Sequence, residues 1–146
     1  MRLIKELLRY PSVRVPNNFY MCTTNTVVKA NGELVMGAGN ALAFATAYPY
    51  APKYFASRTD LPVSFYIRPN KPLIGVFRTK RNWRNPSTLA LVQESITSLK
   101  EEAIALPECT FHLPFPAIGR GGLPRTEVEP LLEELPDNVL IYIKEY

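Results

Sequence analysis

Two short segments crowded with glycine constrain this chain more than any other feature: Met36-Gly37-Ala38-Gly39-Asn40-Ala41 and Ile118-Gly119-Arg120-Gly121-Gly122-Leu123. Each follows an apolar, strand-like run and opens onto a helix-like one. Such a crossover presents backbone N–H groups beside the positive end of a helix dipole, which favours phosphate. In open α/β sheets these loops lie beyond the carboxyl ends of the strands, where ligands bind. Neither segment is a Walker loop, because no Gly-Lys-Ser/Thr follows, and the spacing is not the dinucleotide fingerprint. On spacing alone, a structural turn fits the first segment as well, and an exposed arginine on a flexible turn fits Arg120. Two such units in one small chain strengthen the phosphate reading of both, with Arg120 placed to pair with a phosphate.

The remaining pattern is layered α/β. Leu3, Ile4, Leu7 and Leu8 have helical spacing, ended by Pro11. Phe19 to Thr24 reads as a buried strand, and Asn25 to Gly39 as a long loop. A short helix through Ala41, Leu42, Phe44 and Ala45 ends before Pro49. Val63–Ile67 and Leu73–Phe77 read as strands around the turn Pro69-Asn70-Lys71-Pro72, which permits an antiparallel pair. Asn85 as cap and Pro86 in the first position predict a helix with the stripe Leu89, Val92, Ile96, Leu99, Ala103. Phe111–Phe115 reads as a strand broken by Pro114. Thr126 with Glu129 has capping-box spacing for a helix through Leu131, Leu132 and Leu135, with Pro130 in its first turn. Val139–Ile143 is a last strand.

The chain has 146 residues and no internal repeat or linker, so a single domain over residues 1–146 is expected. No run approaches the ~18 apolar residues of a membrane span. Charges interrupt the apolar N-terminus at Arg2, Lys5, Glu6 and Arg9, which argues against a signal peptide and for a cytoplasmic protein without membrane contact; a monomer is expected. Cys22 and Cys109 lie in apolar runs and are expected to be buried and reduced. His112 is the one histidine; it sits in a strand, with core or edge placement favoured over catalysis, and no spacing suits a metal. No cofactor is implied. The net charge of +4 suits an anionic ligand or weak nucleic-acid contact and proves neither.

Other residues can carry chemistry. Thr23-Thr24-Asn25 ends a strand at the first loop, and Lys29, Asn31 and Gly32 lie within that loop. Thr79-Lys80-Arg81-Asn82-Trp83-Arg84 is a basic run with a tryptophan. It can stack on a base or sugar, or contact nucleic-acid phosphates through Arg78, Lys80, Arg81 and Arg84. From spacing alone, a solvated loop whose tryptophan covers the core edge is the preferred reading. Lys80 becomes a nucleophile only where its surroundings favour the neutral amine.

Taken in order, these motifs resemble one family. Thr23-Thr24-Asn25, the stretch Asn31 to Ala43, and Tyr48-Pro49 resemble the first ligand loop of macrodomains. Phe77-Arg78-Thr79-Lys80-Arg81-Asn82-Trp83-Arg84 resembles the Phe-Pro-Thr-Lys-x-x-Trp segment of one macrodomain branch. That branch holds bacterial and phage ADP-ribose-binding proteins and antitoxins that strip ADP-ribose from DNA, and is near the terminal ADP-ribose hydrolases. Leu113 to Leu123 with Glu127-Val128 resembles the second loop and its helix. The resemblance spans roughly Phe19 to Tyr146.

The resemblance implies a three-layer α/β/α macrodomain-like fold with a central mixed sheet. It implies ADP-ribose binding, with Gly37, Ala38, Gly39, Asn40 and Ala41, and Ile118, Gly119, Arg120, Gly121, Gly122 and Leu123, around the diphosphate and distal ribose. Thr24, Asn25 and Asn31 then lie near that ribose, and Trp83 beside the ligand. In hydrolytic relatives a lysine matching Lys80 attacks the anomeric carbon, so an ADP-ribosyl hydrolase acting on modified DNA or protein is implied. A non-catalytic reader and an ADP-ribose 1″-phosphate phosphatase are the alternatives. The sequence departs from the pattern in three places. The second loop is shorter than the family's Gly-Cys-Gly-x-Gly-Gly-Leu, with Arg120 in place of cysteine. Pro124-Arg125 stands where an acid usually follows, leaving Glu127 as the substitute catalytic acid. The adenine-reading aspartate near the N-terminus is absent, and Glu6 is the stand-in.

Overall fold

The computed structural model describes residues 1–144; Glu145 and Tyr146 of the expected domain lie outside the described residues. Six strands form one mixed sheet in the order β1-β6-β5-β2-β4-β3. They are β1 (Arg2–Ile4), β2 (Asn18–Thr24), β3 (Val63–Tyr66), β4 (Leu73–Arg78), β5 (Thr110–Pro114) and β6 (Val139–Tyr142). All neighbours are parallel except β3, which runs antiparallel to β4 through a turn where Asn70 takes φ 61°. Four helices cover the sheet: α1 (Gly39–Ala47), α2 (Ala51–Ala56), α3 (Leu89–Ala105) and α4 (Arg125–Leu132).

Strand alternation builds two cores, because successive side chains point to opposite faces. On one face Phe19 and Met21 of β2, Phe111 and Leu113 of β5, and Val139 and Ile141 of β6 pack beneath Val92, Ile96 and Leu99 of α3 and Val128 and Leu132 of α4. On the other, Cys22, Ile74 and Val76 pack beneath Phe44 of α1 and Phe55 of α2. The result is the expected α/β/α layering. Both cysteines are buried and unbridged. No described helix is long and apolar enough to cross a membrane.

Four local expectations are overturned. Leu3 to Leu8 is not a helix: Arg2–Ile4 pairs with Leu140–Tyr142 as an edge strand. A helix of two turns is marginal in isolation, whereas the free edge of β6 supplies backbone partners, and the supposed stripe splits, with Leu8 buried and Leu7 55% exposed. The long helix starts three residues after Pro86. Ser87 N–H donates to Gly121 O and Thr88 N–H to Thr79 O, which holds that stretch extended, and Thr88 Oγ1 accepts from Leu91 N–H as the cap. Leu89 is consequently exposed, and Leu91 takes a buried place.

Pro124, not Thr126, caps α4, and Pro130 lies in its interior. An interior proline costs about 3 kcal/mol. Val128 and Leu132, both fully buried, contribute about 1.5–3 kcal/mol each and offset it. Leu135 lies past the helix end but is still buried. Pro114 does not break β5 but closes it, opposite Tyr142. The short helix α2 carries no amphipathic signature in the sequence and was not anticipated.

Candidate functional site

The C-terminal ends of β2, β4 and β5 open into a cleft of about 660 Å³. Both glycine segments line it: Gly37, Ala38, Gly39, Asn40 and Ala41 from one side, Ile118, Arg120 and Gly121 from the other. Thr24, Asn25, Lys80 and Trp83 also reach it. Pro114, Phe115 and Ala117 add to the wall. Sequence reading missed those three because β5 reads simply as a strand up to the second loop.

The first loop is braced from within. Asn25 Oδ1 accepts from Val27 N–H at 2.9 Å and its Nδ2 donates to Val35 O at 3.1 Å. Lys29 N–H to Glu33 O and Val35 N–H to Val27 O close a small hairpin between them. Asn31 sits exposed at its tip, accepting from Glu33 N–H and donating to the Glu33 carboxylate, and is outside the cleft lining. Beyond the hairpin the chain enters α1 through an extended Ala38 that offers no side-chain cap. The amides of Gly37, Ala38, Gly39, Asn40 and Ala41 meet no acceptor among the described residues. Unclaimed donors of this kind at a helix start are what an anion requires.

The second loop divides its amides. Gly121 N–H donates to Ile118 O and Gly122 N–H to Gly119 O, forming a single 3₁₀ turn, and Leu123 N–H donates to Ala117 O. Among the described residues, the amides of Ile118, Gly119 and Arg120 meet no acceptor. Gly119, Gly122 and Leu123 are outside the cleft lining. Ala117 takes φ 69°, a left-handed conformation costly for a side-chain-bearing residue and typical of binding sites.

Lys80 is held between two pinned neighbours. Thr79 N–H donates to Thr24 O, and Thr26 donates to Arg81 O through both its amide and its hydroxyl. Trp83 is 47% exposed at the cleft with the Arg84 guanidinium 4.8 Å from its ring, so it does not cover the core edge. Arg78 is fully buried and cannot reach nucleic acid. Its guanidinium donates to Thr24 Oγ1 (2.7 Å), Asn25 O (2.9 Å) and Phe55 O (3.2 Å), tying the start of the first loop to α2. Burial lowers its pKa to about 10, which leaves it charged at neutral pH.

Among the described residues, no carboxylate lines the cleft. Glu127 is exposed on the first turn of α4 and outside the lining. Arg125, in the family's acidic position, pairs with Glu129 at 3.3 Å and lies over the Phe115 ring. No described group of three or more His, Cys, Asp or Glu suits a metal.

Glu6 lies elsewhere, in a second groove of about 620 Å³ with Leu8, Arg9, Tyr20 and Tyr142. This groove adjoins the cleft. Tyr142 is the register partner of Pro114, and Tyr10, just past Leu8, accepts from Asn40 Nδ2 while donating to Met21 O. Tyr20 and Tyr142 were not singled out in the sequence. The signal was present in the alternation of β2 and β6, which sets both opposite the core-facing residues.

Fold and site together define a three-layer α/β/α module whose two strand–helix crossovers present free main-chain amides to a shared cleft. No family model and no curated protein matches the chain. Solved structures do. The macrodomain of Thermus aquaticus DarG is 28% identical, with TM-score 0.74, covering 99% of this chain and 97% of that one. The macrodomain of Mycobacterium tuberculosis DarG is 27% identical, with TM-score 0.70 and 98% of each chain covered. Thermosipho africanus DarTG in complex with ADP-ribose shares the fold at 23% identity and TM-score 0.71, over 85% of this chain and 37% of that one. The chain has the macrodomain fold and is similar over nearly its whole length to these two DarG macrodomains.

Proposed function

We propose that this macrodomain binds ADP-ribose and removes it from a modified macromolecule, DNA or protein. The observation that carries this reading is the convergence on one cleft of residues whose amides are unclaimed among the described residues, Gly37–Ala41 on one side and Ile118 and Arg120 on the other. A diphosphate is the ligand such a set satisfies, because each oxygen accepts from several fixed N–H groups without a bound metal. The adjoining aromatic groove takes the adenine, with the Glu6 carboxylate accepting from its amino group. The distal ribose then reaches toward Thr24, Asn25 and Lys80. Thermosipho africanus DarTG, part of which shares this fold, has been solved in complex with ADP-ribose.

In the reaction, Lys80 Nζ attacks the anomeric carbon of the distal ribose. The Nζ–carbon bond forms, the bond to the macromolecule breaks, and the proton lost from Nζ passes to the departing group. Water resolves the lysine adduct and frees ADP-ribose. Glu127 would have to move from its exposed place on α4 to serve as acid, so the amine and the cleft donors carry the step. The exposed Arg81 and Arg84 beside the cleft suit the phosphates of a nucleic-acid carrier.

That no described carboxylate lines the cleft favours a second reading, a reader that binds without turnover. Incubation with ADP-ribosylated DNA and with ADP-ribosylated protein, following release of ADP-ribose, separates the two. Calorimetry with ADP-ribose, AMP and NAD tests the binding itself. Equal affinity for AMP and ADP-ribose would mean the distal ribose and second phosphate are not read, and the proposal fails.

A further inference from the structure

Both aromatic rings that line the second groove rest on one buried imidazole. Tyr20 and His112 are cross-strand partners on β2 and β5, and their rings stack at 4.4 Å with planes 3° apart. The Tyr142 hydroxyl lies 2.8 Å from His112 Nδ1. The other ring nitrogen, Nε2, lies 2.6 Å from Asn18 Oδ1. Asn18 Nδ2 already donates to Pro16 O at 2.9 Å, so it is Oδ1 that faces the imidazole and accepts from it. This fixes the chain of donors. Nε2 carries the proton, Nδ1 offers its lone pair, and the Tyr142 hydroxyl must donate. Burial lowers the His112 pKa to about 4, which keeps the ring neutral and the relay intact at working pH.

The geometry points to His112 as a positioning residue for the base of the ligand: it sets the Tyr20 ring by stacking and the Tyr142 ring by hydrogen bonding, and so preforms the groove that receives a planar heteroaromatic group. The inference rests on the reading that the groove takes the adenine of ADP-ribose. A tyrosine at a strand end has two soft torsions that a ligand must otherwise freeze on binding. Pinning its hydroxyl beforehand removes that ordering cost from the binding step. Tyr20, His112 and Tyr142 belong to neither buried core cluster, so stacking and the hydrogen bond, rather than core packing, hold the rings.

The test uses the full chain with H112F, which keeps a ring against Tyr20 but removes the acceptor, and Y142F, which removes only the hydroxyl. Affinities are measured by calorimetry for ADP-ribose and for ribose 5-phosphate, which lacks the base. H112F and Y142F are each expected to weaken ADP-ribose about three- to tenfold. The double variant is expected to be no weaker than either single, because both break one hydrogen bond. Ribose 5-phosphate affinity should not change, a pattern that general loosening of the fold cannot produce. Unchanged ADP-ribose affinity in folded H112F, additive losses in the double variant, or an equal loss for ribose 5-phosphate would each overturn the inference. If H112F does not fold, Y142F alone decides, since its removed atom sits on a partly exposed ring. Wild-type chain that fails to bind ADP-ribose removes the proposed function as well; wild-type binding with H112F unaffected removes only the role of His112.

Discussion

Arg120, on the second loop, lays its Cδ and Nε 3.5 Å from the point where a β-carbon on Gly39, at the start of α1, would sit. The side chain thus crosses the gap between the two loops. It has no ion pair among the described residues and lies against the positive end of a helix whose first amides are unclaimed. Two like-signed partners held together in this way are mutually unfavourable until an anion comes between them. R120Q is therefore expected to weaken ADP-ribose about three- to tenfold at low salt, with little difference left at high salt, where an exposed charge is screened. Calorimetric titrations of both proteins across a salt series check this. Parallel salt dependences would mean that the guanidinium does not touch the diphosphate.

Gly121 packs against Ser87 so closely that an added β-carbon would come within 2.6 Å of the serine Oγ. Ser87 also donates its amide to Gly121 O, so the second loop is seated on the segment that precedes α3. G121A should cost about 1–3 kcal/mol of stability, as overpacking does, and weaken ADP-ribose by displacing the neighbouring amides. Removing the obstacle in G121A/S87G should recover most of both. Denaturant midpoints and ADP-ribose titrations on the pair provide the measurement, and absence of rescue would place the damage elsewhere.

Lys80 separates binding from turnover. K80A is expected to abolish release of ADP-ribose from modified DNA or protein while leaving affinity for free ADP-ribose within about threefold, because the main-chain amides carry recognition. K80R should be equally inactive, since a guanidinium keeps the charge but is not a nucleophile at neutral pH. Single-turnover release and calorimetry on the same preparations check both halves. Release at the wild-type rate by K80A would exclude the amine from the chemistry.

His112 gives stability a pH dependence of defined sign. Burial lowers its pKa from 6.5 to about 4, so between those values the unfolded chain binds a proton that the folded chain does not. Its contribution is complete above pH 6.5 and is lost as pH falls toward 4. The groups around the ring are Tyr20, Tyr142 and Asn18, none of which titrates in that window. The stability difference between wild type and H112F should therefore move against the wild type as pH drops from 6.5 to 4. Carboxylates titrate in both proteins and cancel. Denaturant melts over the series check this, and a difference independent of pH would show the imidazole to be solvated.

Much of the fold was legible because it depends on local pattern. Alternation marked Phe19–Thr24 and Val139–Ile143, a proline–asparagine turn marked the β3–β4 pair, and glycine marked both loops. What failed depended on neighbours far along the chain. Arg2–Ile4 became a strand because β6, more than 130 residues later, offered an edge. The start of α3 moved because Gly121 and Thr79 claimed the amides of Ser87 and Thr88. The site shows the same division. Gly37–Ala41, Lys80 and Trp83 were visible as motif residues, whereas Tyr20, Tyr142 and His112 are ordinary strand residues until the sheet places them side by side.

By itself the sequence determined which backbone stretches could present free amides, because glycine content and the strand–loop–helix order are local properties of the chain. Only the tertiary structure decided that both stretches face one cleft, that Arg78 is spent as a buried brace, that Asn31 and Glu127 stand away from the lining, and that a lone histidine supports two tyrosines. Those outcomes follow from strand order and register, which are set by burial of two cores over the whole chain and are therefore invisible to any single segment.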